Sequence, residues 1–149
     1  MIFPGEFYLA DLEYLKENSS NKNVDMVIQA LMVQIAESED ATWCLTQWKN
    51  DNKNPFFNVS AISYLQQQGY NIYRLRPLGS SKLNRYRVIY AFDSEYEDFY
   101  LLAVVEKAPE NETEIIVHDR IYKYEHDHHI IKRVCKEYDA FGIPRNGNH

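Results

Sequence analysis

From Phe7 to Asn18 apolar residues recur with helical spacing. Tyr8, Leu12 and Leu15 fall at i, i+4 and i+7 and make one apolar stripe. Polar residues from Glu17 to Asn23 end that helix. A second is expected from Val24 to about Glu37, with Asn23 as N-cap, Asp25 in the first turn, and Val24, Val27, Ile28, Leu31 and Ile35 on the apolar face. So short a connection predicts an antiparallel helical hairpin over residues 1–37, covering one face of a sheet. The periodicity is then lost over residues 38–59. Trp43, Trp48, Phe56 and Phe57 stand among polar residues and Pro55 breaks the run, so this is read as a loop-rich aromatic insertion with one helical turn near Thr42 to Trp48. Its aromatics suit packing onto the domain better than a partner surface. Ser60 reads as the cap of a brief helix, Ala61 to Gln68, stopped by Gly69.

The pattern next turns strand-like. Tyr70 to Leu75, Tyr86 to Phe92 and Phe99 to Val105 are rich in aromatic and β-branched residues. Pro77, Gly79, Ser80 and Ser81 fill the first gap and the acidic stretch from Asp93 to Asp98 fills the second. Connections this short predict an antiparallel meander. Strand character returns at Glu114 to Val117 and Ile121 to Tyr124. A last helix, residues 127–141, is expected to start at Asp127 with Ile130, Ile131, Val134, Cys135 and Tyr138 inward; Gly142 and Pro144 end it and the tail frays. The fold class is therefore α+β: an N-terminal helical hairpin, a small antiparallel sheet within residues 60–124, and a C-terminal helix, in one domain spanning residues 1–149.

Charge changes this picture. The net charge of -6 hides a basic stretch. From Gly69 to Tyr90 there are five cations, Arg74, Arg76, Lys82, Arg85 and Arg87, and no carboxylate. Alternation along a strand puts Arg74 and Arg76 on one face, and Arg85 and Arg87 on one face. Whether the two pairs share a face depends on register. If they do, four guanidiniums converge, which suits phosphate, because the guanidinium fork matches phosphate oxygens in pairs. The acidic remainder argues against indiscriminate nucleic-acid binding.

Other chemistry is thinner. Cys44 and Cys135 fit no metal or redox spacing and read as two buried, reduced thiols of a cytoplasmic protein. His118, His126, Asp127, His128 and His129 include no i, i+4 histidine pair, so they read as a polar helix cap rather than a metal site; one of them serving as acid or base is a minor variant. No metal or cofactor is expected. No apolar run reaches membrane-span length and the start lacks a basic segment followed by an apolar one, so neither a membrane span nor a secretory signal is expected.

Two helices, then strands carrying Tyr73-Arg74-Leu75-Arg76-Pro77-Leu78 and Arg85-Tyr86-Arg87-Val88-Ile89-Tyr90, then the segment Asp119 to Glu125, resemble the RelE/ParE superfamily of type II toxin–antitoxin toxins. The resemblance covers about half the chain and is best from Gly69 to Val105. It implies a metal-independent endonuclease that cuts messenger RNA, in association with the ribosome, and is held in check by an antitoxin. By resemblance Arg74, Arg76 and Arg87 are catalytic. Arg120, with Tyr122 and Tyr124, matches the later arginine and tyrosines, and Lys107 competes with Arg120 for the remaining cationic role. Lys82 and Arg85 would bind RNA. The chain departs from the family in its overall acidity and in added length around Glu37 to Val59 and Ala108 to Ile115. The alternatives are a ParE-like toxin directed at gyrase and a non-catalytic module whose basic hairpin holds an acidic partner.

Overall fold

The computed structural model describes residues 1–50, 54–79, 83–108, 118–122 and 128–146. The elements run β1 (Ile2–Pro4), α1 (Glu6–Asn18), α2 (Val24–Ala36), α3 (Glu39–Cys44), β2 (Lys49–Asn50), β3 (Phe57–Ala61), α4 (Ser63–Gln67), β4 (Ile72–Pro77), β5 (Tyr86–Asp93), β6 (Asp98–Lys107), β7 (Ile121–Tyr122) and α5 (His129–Ala140). The fold is α+β, with one seven-stranded sheet ordered β1-β6-β5-β4-β3-β2 and β7 also on β6.

The sheet is mixed rather than purely antiparallel. The meander β4-β5-β6 is antiparallel as expected, and β3 adds an unexpected antiparallel strand beside β4, but β1 and β7 both run parallel to β6. The first five residues carry too little pattern to announce a strand. Their partner, β6, lies about a hundred residues away and is buried on both faces, so its apolar run shows no alternation to mark either side.

Helices cover both faces. On one, Tyr8, Leu12 and Leu15 of α1 and Val24, Ile28, Met32 and Ile35 of α2 pack with Leu75, Val88 and Tyr90 of the sheet. On the other, Leu65 of α4 and Ile130, Ile131, Val134 and Tyr138 of α5 pack with Ile72, Ile89 and Val105. α2 turns Met32 inward and leaves Val27 exposed, contrary to the face expected for it.

Three further expectations need correcting. Phe57 to Ala61 is a strand, with Phe57, Val59 and Ala61 buried and Asn58 and Ser60 half-buried, so Ser60 caps no helix; α4 starts at Ser63. Of the insertion's four aromatics Phe57 is buried, while Trp43, Trp48 and Phe56 are each more than half exposed. The short helix there is α3, whose N-cap Ser38 accepts from the Ala41 amide at 3.1 Å. Arg145 and Asn146, expected in a frayed tail, are held in place. Arg145 pairs with Asp139 at 2.7 Å and lies over the Tyr70 ring, and the Asn146 amide donates to Gly69 O at 2.8 Å. The expected strand 114–117, Lys82, Tyr124 and the expected cap Asp127 lie outside the described residues.

Gly5 marks the tightest backbone approach. Its amide donates to Leu101 O at 2.9 Å, and a Cβ there would lie 2.6 Å from that oxygen and 3.3 Å from Glu137 Oε1. Its φ of -74° suits any residue, so space alone demands glycine. Gly5→Ala is expected to cost roughly 1–3 kcal/mol, read in denaturant as a lower midpoint at unchanged slope.

Glu137 is buried beside this contact. Burial raises its carboxyl pKa; Arg133 opposes the shift, and Asp11 and Glu6 reinforce it. The folded state therefore holds this proton more tightly than the unfolded chain. Its contribution is present at low pH and is lost as pH rises through the folded pKa. Glu137→Gln stays neutral, so it is expected to raise the Tm near about pH 7 and to leave it almost unchanged near about pH 4. Melting curves at the two pH values check the sign.

Candidate functional site

Register answers the question left open by the arginines. Tyr73 and Leu75 point into the α1–α2 core, so Ile72, Arg74 and Arg76 emerge on the opposite face. Arg74 lies opposite Ile89, and Ile89 packs on that same opposite face. Arg87, two residues before Ile89, therefore shares it. From β3, Ser60 stands opposite Arg74 and Asn58 opposite Arg76. Arg74, Arg76 and Arg87 thus belong to one sheet face, the one that carries α4 and α5.

A β-bulge brings Lys107 to this face. Ile89 pairs with Ala103 and Tyr90 with Leu101, leaving Leu102 as the extra residue. Leu102 and Ala103 both face the α5 side, and alternation resumes with the opposite parity. Without the bulge Lys107 would point toward α1. With it, Lys107 follows Val105 on the arginine side and pairs with Tyr122 of β7. The Tyr122 hydroxyl lies 3.2 Å from that of Tyr64, on α4. Tyr64 is half-buried while Tyr122 is buried, so the hydroxyl pair links the interior to the surface.

The three arginines are not equivalent. Arg87 is only 4% exposed, and its Nη1 donates to Asn84 O at 2.5 Å and Tyr86 O at 2.9 Å. Arg76 Nε donates to the same Asn84 carbonyl at 3.3 Å. Both guanidiniums thereby hold the turn that leads into β5. Arg74 and Arg76 are half-buried, nearer the surface. Arg87 sits below them as a positioning group.

Arg85 does not share a face with Arg87. It lies in the turn before β5, where strand alternation does not apply, and its Nε reaches Glu106 at 3.4 Å. Glu106 is fully buried and also meets His118 Nε2 at 2.8 Å. His118 in turn packs edge-on against Tyr14 of α1. Arg120 lies on that α1 side as well. It pairs with Asp11 at 3.2 Å and Asp119 at 2.9 Å, and its guanidinium lies 4.1 Å over the Tyr14 ring. The residues singled out in the sequence therefore divide: Arg74, Arg76, Arg87, Lys107 and Tyr122 share one face, and Arg85 and Arg120 stand with α1.

The histidines are occupied locally. His128 Nδ1 accepts from the Ile130 amide at 3.1 Å and caps α5, while its Nε2 lies 2.8 Å from Ile121 O. His129 Nε2 lies 3.1 Å from Asp119. Among the described residues no group of three histidine, cysteine or acidic side chains is placed to hold a metal ion. Burial pushes the Cys135 thiol up to about 11, which removes it as a nucleophile near neutral pH.

Sequence reasoning missed Tyr64, Asn58 and Ser60. The alternation Phe57-Asn58-Val59-Ser60-Ala61 carried the signal for the latter two, since apolar and polar residues strictly alternate there. For Tyr64 nothing in the sequence distinguished it from a core tyrosine. No family model, no curated protein and no solved structure matches this chain.

Proposed function

We propose that the arginine-bearing face of the sheet binds an RNA backbone, and that the protein is a RelE/ParE-like toxin cutting messenger RNA in the cytoplasm under the control of an antitoxin. One observation carries the reading: Arg74, Arg76, Arg87 and Lys107 come from three different strands and lie on the same side of the sheet. The order of elements agrees with it. In this reading the first strand, α1 and α2, and a meander whose last strand returns beside the first would form the RelE/ParE-like part, with α3, β2, β3 and α4 as additions.

In this reading the 2′-hydroxyl attacks the adjacent phosphorus, the bond to the 5′-oxygen breaks, and a 2′,3′-cyclic phosphate and a 5′-hydroxyl result. Arg74 and Arg76 neutralise the charge that builds on the non-bridging oxygens. The attacking hydroxyl gives up a proton and the leaving oxygen takes one. Tyr64, backed by Tyr122, and Lys107 are the groups on this face for those transfers. Arg87 keeps the β5 turn in register beneath them.

A binding module without catalysis is the second reading, favoured by the burial of Arg87 against backbone carbonyls. Filter binding of a labelled single-stranded RNA across a salt series, together with growth of a bacterial host under induction, separates the two. Salt-sensitive binding with growth arrest supports the toxin. Binding without arrest, and without new RNA ends, favours the module.

A further inference from the structure

We propose that the outward face of α2, together with the cleft beyond its C-terminal end, docks an amphipathic basic helix from a partner protein. α2 is apolar on both sides. Val24, Ile28, Met32 and Ile35 are buried, yet Met26, Val27 and Val33 on the other side are 68, 38 and 56% exposed. Met26, Ala30 and Val33 follow at i, i+4 and i+7 and form a ridge about 10 Å long. An exposed apolar ridge opposite a helix's buried face marks a surface for a partner.

The end of the ridge indicates what covers it. Beyond Ala36 a cleft of about 420 Å³ opens between α3 and the β5–β6 turn. Trp43, Phe92 and Phe99 give it an aromatic lining, and Glu37, Glu39 and Glu97 give it three carboxylates. Among the described residues no cation lines it. Trp43 is 55% exposed. An aromatic lining ringed by carboxylates suits a guanidinium or ammonium, through cation–π attraction and charge-assisted hydrogen bonds. A partner helix with apolar residues at i, i+3/i+4 and i+7 and an arginine or lysine about one turn beyond them matches ridge and cleft together. A second copy of this chain fits less well, because with a net charge of -6 it brings more carboxylates to the same place. α2 lies across the sheet from Arg74 and Arg76, so the inference stands whether or not that face binds RNA.

The test uses the full chain, isotope-labelled, and a synthetic helical peptide with leucines at that spacing and two arginines beyond them, at about 0.15 M salt. Controls are a scrambled peptide of equal charge and one with glutamates for the arginines. The arginine peptide is expected to shift the amide signals of Ala30, Val33, Thr42 and Glu97. Val33→Asp and Glu39→Lys, both at exposed positions, are expected to weaken it at least tenfold with folding unchanged. Equal binding by the scrambled or glutamate peptide, shifts confined to the Arg74–Arg76 face, or no binding at millimolar peptide would each overturn the proposal. So would wild-type dimerisation abolished by Val33→Asp, which would make a second copy the occupant.

Discussion

Replacing Asp11 with alanine is expected to cost about 3–5 kcal/mol, a fall in Tm of roughly 6–20 °C for a domain of this size. The cause lies at the outer edge of β6. β1 pairs with Phe99 to Leu101 and β7 with Glu106 and Lys107, and among the described residues no strand pairs with the middle of that edge. Among the described residues, side chains occupy that stretch. The Val104 amide donates to Asp11 Oδ2 at 3.0 Å, and Arg133 Nη2 donates to Leu102 O at 3.2 Å and to Asp11 Oδ2 at 2.6 Å. Arg120 adds its bond to Asp11 Oδ1. Asp11 belongs to α1 and Arg133 to α5, so the ion pair also ties the helix layers of the two faces together around the sheet. Alanine would strand a buried amide and leave two guanidiniums without their shared anion. Asp11→Asn keeps an acceptor but not the charge, so an intermediate loss is expected. Lys16→Ala, which breaks an exposed pair with Asp25 at 3.9 Å, is expected to change stability by less than about 1 kcal/mol. Thermal melts of the three variants check the ranking.

The largest expected effect on activity comes from Arg74→Ala combined with Arg76→Ala. Each guanidinium offers paired donors to phosphate oxygens, and the loss of one such fixed donor lowers a rate by about 10²–10³. If each also contacts one phosphate, the slope of log affinity against log salt should fall by about 1.4 for single-stranded RNA. The fold should tolerate the change. Both side chains are half-buried, and the bond from Arg76 to Asn84 O is worth about 1 kcal/mol. Arg87→Ala would be a poorer probe. It removes a buried side chain and the donor to two turn carbonyls, so lost activity could not be told from a loosened turn. A circular-dichroism melt beside the RNA assay separates the two cases.

The helices and the meander were legible because their signals are local. Tyr8, Leu12 and Leu15 repeat with helical period, and β5 and β6 are dense in β-formers between turn residues. The common face of Arg74 and Arg76 followed from alternation alone. What remained hidden depended on distant partners or on broken periodicity. The bulge at Leu102 decides where Lys107 points, yet it sits in the run Leu101-Leu102-Ala103-Val104-Val105, whose uniform apolarity conceals a slip of one residue. Arg120 looked like a partner for the other cations, because nothing in the chain shows that Asp11, more than a hundred residues earlier, is buried and needs it. The burial of Asp11 was equally hidden, since an acid within an apolar stripe ordinarily reads as the solvent side.

Primer extension on a reporter messenger RNA tests the central claim most directly. It compares cells expressing the wild-type chain with cells expressing the Arg74→Ala/Arg76→Ala variant at matched levels of folded protein. The account predicts new cleavage ends in the wild-type lane only. Wild-type protein that arrests growth without new ends, or a double variant that cuts as well as wild type, would contradict it.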